Sequence, residues 1–245
     1  MAARRYESVH SVGIGIPGQV DAATGLVRNV VNLDIEQVEL AEAVAGLVER
    51  PVRVDNDVNT AALGASRVIE KADTGVSVFL NFGTGLASGI VVDGVLYHGY
   101  SGAAGEIGHI PVDPNRFPCP CGQYGCLETV CSGASVGRLW PQADPPMPDL
   151  ISRADAGEPH AVEVLRIVLH AIGDALQIVA HSFDPKLIVL GGGMAKTGRP
   201  LLLAIAGELH DREAASPFLQ GLALTARLQL APSDIPLGAL GAALL

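Results

Sequence analysis

Apolar positions along this chain repeat at two periods, near two and near 3.6 residues, and the switches between them mark out the elements. SVGIGIPG (11–18) reads as a short buried strand running into a Pro17-Gly18 turn. Over 36–49, Val38, Ala41, Val44, Ala45 and Val48 fall three and four apart and predict an amphipathic helix. PVRVDND (51–57) is a second strand, ending where an Ala-rich helix over 58–70 begins. VSVFLNFGTG (76–85) is a β-rich run into glycines, and 88–99 is a hairpin turning at Asp93-Gly94, the type I′ pair. The stretch 133–150, rich in proline between Pro141 and Pro148, reads as irregular. The longest helical pattern, 158–183, carries Val162, Leu165, Val168, Leu169, Ile172, Leu176, Val179 and Phe183 and stops at Asp184-Pro185. KLIVLGGGMA is a strand delivering three glycines; a helix near 199–210, a strand at 222–230 and a short apolar helix at 236–245 close the chain.

Strands and helices alternate, so the fold class is α/β. Glycine turns follow three of the strands, and that pattern predicts a ligand crevice at the strand ends. A chain of 245 residues, 49% hydrophobic, has material for a sizeable core, in two small domains or one large one. Its net charge of −10, with no Lys/Arg run, argues against a nucleic-acid surface. No apolar run reaches the roughly 20 residues that cross a bilayer, and the N-terminus has no signal-peptide core. A cytoplasmic protein without membrane contact is the expectation.

The segment from Gly105 to Glu128, GEIGHIPVDPNRFPCPCGQYGCLE, sharpens the picture most. It holds three of the four cysteines, Cys119, Cys121 and Cys126, with His109 ten residues ahead of the first. One imidazole and three thiolates are a four-ligand set for tetrahedral Zn2+, closed to water and therefore structural. Cys131 is left over, which suits a reducing compartment. A second nitrogen on a metal-bound His109 could reach a substrate oxygen. With Glu106 and Glu128 at the ends of this segment, the set suits a polyhydroxylated ligand, a sugar being the natural candidate.

Three other places carry possible chemistry. Asp57, at a strand end opening into a helix, reads either as a general base for a hydroxyl or as part of an Asp55-Asn56-Asp57 helix cap. Gly83, Thr84 and Gly85 form either a phosphate cradle or a plain β-turn. Gly191, Gly192 and Gly193 either admit a ligand close to the backbone or open a helix.

In this order, GIGIPG, DND, GEIGH, CPCGQYGCLE, IVLGGG and the closing LGALGAALL resemble the ROK family of bacterial sugar kinases and sugar-responsive repressors. The resemblance implies an actin-like ATPase (ribonuclease H-like) fold of two α/β domains with a sugar between them. Residues 1–72, closed by the helix 236–245, would be the N-terminal domain; 73–235, with the zinc segment 105–128, would be the C-terminal one. Asp57 would be the catalytic base removing a sugar proton during attack on ATP. Asn56, Glu106, His109 and Glu128 would bind sugar hydroxyls. Gly83, Thr84 and Gly85 would lie at the phosphates, Gly191–Gly193 near the adenosine, with Zn2+ on His109, Cys119, Cys121 and Cys126. ATP and Mg2+ would be the further cofactors, and a homo-oligomer, dimer or tetramer, the assembly.

Family kinases open on a strand with an Asp-Gly-Gly-Thr turn that holds ATP phosphates and magnesium. MAARRYESVH stands instead directly before a strand that the family layout places several elements later. The expectation is an incomplete N-terminal domain, short of roughly three strands and a helix. Two functions follow: an ATP-dependent kinase for a hexose or N-acetylhexosamine, or the sugar-sensing effector domain of a transcriptional regulator.

Overall fold

A computed structural model of the chain describes residues 9–30, 33–70 and 74–245. The first eight residues and positions 31–32 and 71–73, including the expected boundary at 72–73, lie outside the described residues. The chain divides into two compact units. The first holds residues up to Thr74, Gly89–Ala104 and Asp234–Leu245; the second holds Gly75–Ser88 and Gly105–Ser233.

In chain order the strands are β1 (Val12–Ile16), β2 (Gln19–Asp21), β3 (Leu26–Val30), β4 (Ile35–Glu39), β5 (Val52–Asn56), β6 (Val76–Phe82), β7 (Leu86–Val92), β8 (Val95–Leu96), β9 (Leu187–Gly191) and β10 (Leu228–Leu230). In the first unit β1 runs parallel to β5, and β2, β3 and β4 form an antiparallel sheet. The register sets Val20, Val27 and Val38 side by side across those three strands. Val27, Val30 and Val54 are the buried centre, covered by Ile14, Ile16, Ile35, Leu40 and Val52.

That packing corrects the helix expected over 36–49. Residues Ile35–Glu39 are a strand, and the helix runs only over Leu40–Val48. Val38 and Ala41 satisfy a helical spacing, but Val38 is needed opposite Val27, so tertiary pairing overrides local period.

The C-terminal helix Leu237–Ala242 lies against the helix Asp57–Ala65 at glycines. A Cβ on Gly241 would stand 1.6 Å from the Thr60 carbonyl oxygen, and one on Gly64 would stand 2.1 Å from that of Leu237. Arg53 Nη1 donates to the Leu245 carbonyl at 2.7 Å, tying β5 to the last residue.

In the second unit the strand order is β10-β9-β6-β7, and β7 continues beyond Ser88 to pair with β8 in the first. Strands β6, β9 and β10 are parallel, and β9 is buried throughout. The helix Pro159–Phe183 buries Leu165, Val168, Ile172, Leu176 and Val179 as expected; Val162 is exposed, and Ala161 and Val164 take its place on the inner face. The Asp93-Gly94 turn has φ of 50° and 78°, the two positive values a type I′ turn demands.

Two further expectations are corrected. The stretch 133–150 is not irregular: helices span Gly133–Leu139 and Pro146–Asp155. Pro146 and Pro148 sit in the first helical turn, where amide hydrogens have no intrahelical partner and proline costs nothing. The strand expected at 222–230 shrinks to Leu228–Leu230, the three residues that find partners on β9. Before it, short helices Pro217–Leu222 and Leu224–Arg227 meet at Ala223, whose φ is 48°.

The interhelical glycines make a testable claim. Gly241→Ala should lower the urea midpoint by an amount worth about 1–3 kcal/mol, because the new methyl has backbone in its way. Gly46→Ala, with nothing within 4 Å of its Cβ, should be neutral or slightly stabilising. Equal midpoints for the two variants would remove the close packing from this account.

Candidate functional site

In the first unit, β5 delivers Asp55, Asn56 and Asp57 to the start of a helix. Asn56 is its cap: Oδ1 accepts from Val58 N at 2.8 Å and Asn59 N at 3.4 Å, while Nδ2 donates to the Gly18 carbonyl at 3.1 Å. Asp57 is the first helical residue and is exposed; its Oδ1 also accepts from Val58 N, at 3.1 Å. Although this carboxyl reaches solvent, desolvation by the surrounding protein holds it above the ordinary aspartate range, against the opposing pull of the Val58 and Asp57 amides.

Behind it stands a residue pair that sequence reasoning did not single out. Asp55 is 2% exposed; Oδ1 accepts from Asn56 N at 2.7 Å and Asn59 Nδ2 at 2.9 Å, and Oδ2 lies 2.7 Å from His98 Nε2. Its hydrogen bond and charge hold His98's pKa above the usual histidine value, with burial opposing. Forty-three residues separate the two, and only the hairpin through Asp93-Gly94 brings them together.

In the second unit the GEIGH motif lies across the start of β7. Gly105 has φ of 100°, and a Cβ there would stand 1.8 Å from the Ser88 carbonyl oxygen; one on Gly108 would stand 2.1 Å from that of Leu86. Ser88 N donates to the Gly105 carbonyl at 2.8 Å. Only glycine lets these backbones touch, so the motif's two glycines fix where Glu106 and His109 stand. Glu106 is exposed and His109 half-buried.

His109, Cys119, Cys121 and Cys126 bring one ligand atom each within 4.8 Å of one another. Cys119 Sγ is 3.7 Å from His109 Nδ1, and Cys121 Sγ is 3.7 Å from Cys126 Sγ. Tetrahedral zinc, with Zn–S near 2.3 Å and Zn–N near 2.0–2.1 Å, sets neighbouring donors roughly 3.5–3.8 Å apart, and the two 3.7 Å distances match that spacing, so the cluster could hold a metal ion. The loop is built to converge. Gly122 and Gly125 have φ of 92° and 83°, and Gln123 Nε2 donates to the His109 carbonyl at 3.0 Å. The Gln123 side-chain and backbone N–H groups hold the Cys121 thiol down at about 6, whereas burial pushes Cys126 up to about 12. Buried Cys131 is pushed up as well, and it is not part of the cluster.

Gly83, Thr84 and Gly85 join β6 to β7, with Thr84 exposed. Gly133 N donates to the Gly83 carbonyl at 2.7 Å, and Glu128 Oε2 accepts from Leu86 N at 2.9 Å. Gly192, at φ 83°, passes so close that a Cβ would stand 2.4 Å from the Phe82 carbonyl carbon. The Gly191–Gly193 run therefore leads from β9 directly beneath this turn, while Gly193 itself faces open space.

The ROK family model matches residues 1–245. The chain belongs to the ROK family. A glucokinase from Halalkalibacterium halodurans is 35% identical over 214 residues, which are 79% of this chain and 64% of that protein. The DNA-binding transcriptional dual regulator NagC of Escherichia coli is 28% identical, over 82% of this chain and 53% of its own length. The crystal structure of a ROK glucokinase from Streptomyces griseus, in complex with glucose and AMPPNP, superposes with a TM-score of 0.76 at 30% identity, covering 98% of this chain and 82% of that one. The mixed α/β fold is thus that of the actin-like ROK sugar kinases. The chain spans just under two thirds of the Halalkalibacterium relative's length. Among its described residues, no helix is long and apolar enough to cross a membrane.

The Asp55–His98 pair yields a pH signature. His98 binds its proton more tightly folded than unfolded, so the pair's stabilisation is complete below the unfolded histidine value, about 6.5, and fades as pH rises through the raised folded value. Urea unfolding of the wild type should therefore lose more stability than His98→Gln does between pH 6 and pH 9. Parallel stability profiles for the two proteins would contradict this.

Proposed function

We propose that this chain carries the sugar-binding and phosphate-binding parts of a ROK sugar kinase acting with ATP and Mg2+ on a hexose or N-acetylhexosamine. The observation that carries the reading is the four-ligand loop: it starts one short turn after Glu106 and ends two residues before Glu128. Zn2+ on His109, Cys119, Cys121 and Cys126 supplies rigidity alone, since three thiolates and an imidazole leave no position for water. His109 Nδ1 faces the thiols, which leaves Nε2 for a sugar oxygen. Glu106 and Glu128 accept from sugar hydroxyls. Asn56 already caps its helix, and its second Nδ2 hydrogen donates to the sugar.

Asp57 takes the proton of the attacking hydroxyl as the sugar oxygen bonds to the γ-phosphorus and ADP leaves. Its raised pKa suits that task, because a base is more effective as its pKa nears the working pH. The amides of Gly83, Thr84 and Gly85 hold phosphate oxygens, and Gly191–Gly193 lie toward the adenosine. The likeness to NagC favours a second reading, the sugar-sensing effector domain of a transcriptional regulator, in which the same sugar residues act without turnover.

Two measurements check this. Metal analysis of the purified chain should find about one zinc per chain, with Cys126→Ser losing it and melting at lower temperature; a content far below one removes the zinc assignment. In a coupled ADP-release assay with glucose or N-acetylglucosamine, Asp57→Asn should lower kcat about 10²–10⁴-fold. The acid limb of wild-type activity should fall above the ordinary aspartate range, activity dropping as Asp57 gains its proton. Sugar binding with no turnover selects the regulator reading, and no response to either sugar defeats both.

A further inference from the structure

The Gly83–Gly85 turn is held at three points, and two of them are backbone against backbone. Gly133 N donates to the Gly83 carbonyl, and Gly192 presses on the Phe82–Gly83 peptide. The third is the carboxylate of Glu128, which accepts from Leu86 N where the turn leaves for β7. A charged acceptor on the amide of buried Leu86 is a strong hydrogen bond.

The fit is close. A Cβ on Gly85 would stand 2.4 Å from the same Glu128 Oε2, so the absence of a side chain at position 85 is what lets the carboxylate reach the amide. Gly85 has no left-handed φ, so its requirement is steric. Among the described residues the other oxygen, Oε1, accepts no hydrogen bond. The backbone behind Glu128 is pinned: Ser135 Oγ donates to the Glu128 carbonyl at 2.5 Å, Ser132 Oγ to Ser135 Oγ at 2.9 Å, and Thr129 Oγ1 to the Cys126 carbonyl at 2.7 Å. The carboxylate therefore joins the turn to a fixed segment that begins at a thiol of the four-ligand loop.

We propose that Glu128 is a positioning residue for the Gly83–Gly85 turn, one carboxylate oxygen holding Leu86 N–H and the other taking a sugar hydroxyl, so that sugar and phosphate binding are coupled through this one side chain. The proposal rests on the kinase reading of the site. A sugar hydroxyl on Oε1 reduces the carboxylate's freedom and holds Oε2 on the turn, whose amides then stand ready for phosphate oxygens. By linkage a nucleotide must favour the sugar by the same factor.

The test uses the full chain with AMPPNP–Mg2+ and glucose or N-acetylglucosamine as probes. In amide NMR, Glu128→Gln should shift the Leu86 resonance upfield and speed its hydrogen exchange, because a neutral acceptor replaces a charged one. Gly85→Ala, whose methyl displaces the carboxylate without backbone strain, should do the same. By calorimetry each variant should bind AMPPNP about 3- to 10-fold more weakly than wild type, and the double variant no worse than either alone, since both remove one contact. Saturating sugar should raise wild-type AMPPNP affinity about 5-fold or more, and by less than about 2-fold in either variant.

An unchanged Leu86 amide in Glu128→Gln overturns the positioning role whatever the chain phosphorylates. Additive losses, or a sugar effect that survives in both variants, overturn the coupling. If neither probe sugar binds, the kinase reading and the coupling both fall, while the Leu86 signal and the AMPPNP affinities still decide whether Glu128 holds the turn.

Discussion

The start of β7 is the constraint on which the second unit's candidate chemistry depends. Between Gly83 and Ser88 the backbone is approached by three other stretches of chain, at Gly105 and Gly108, at Gly133 and at Gly192, each so near that a methyl group would collide with main-chain atoms. Closeness of this kind exchanges side-chain packing for position: a carbonyl against a glycine cannot slide without losing its contact. Glu106 and His109 are placed because Gly105 and Gly108 sit on β7. The turn that would receive phosphate is placed because Gly133 and Gly192 sit on it. Glu128 adds the one side-chain tie, and it reaches Leu86 because position 85 is also glycine.

The first unit solves a similar problem with charge. Asp55 is buried, and its two oxygens are divided among the Asn56 amide, Asn59 and His98. A lone carboxylate at that depth would carry a large desolvation penalty. Three donors remove most of it, and one of them fixes the peptide that leads into Asp57. The exposed carboxylate is therefore held by a buried one, and the strand end is stiff where a base would have to be aimed.

How much of this could be read from the sequence depended on chain separation. The convergence of His109 with Cys119, Cys121 and Cys126 was legible because all four lie between His109 and Cys126, a single loop whose glycines close it. The hairpin at Asp93-Gly94 was legible because two residues with positive φ suffice to specify it. The Asp55–His98 pair and the Glu128–Leu86 bond span 43 and 42 residues, and no local pattern marks a side chain that will meet a distant partner. The misread elements have the same origin. Val38 fits a helix locally but is claimed by a sheet, and the prolines near position 146 look like breakers until a helix is seen to start on them.

The glycines held the most information and were the hardest to interpret. Gly83, Gly85 and Gly192 read from sequence as turn residues or ligand-facing backbone, and Gly105 and Gly108 as letters of a motif. In the fold most are obliged to be glycine by neighbouring protein instead: Gly85 by the Glu128 carboxylate, Gly108 by Leu86, Gly192 by the Phe82–Gly83 peptide. A glycine required by its own fold can still border a ligand, and the turn at 83–85 has both faces of that role. Its inner face is crowded by protein, and Thr84 on its outer face is exposed. Rigidity on one side and access on the other is the arrangement a phosphate cradle needs, because amides that must reorganise around an anion lose in ordering part of what they gain in contact.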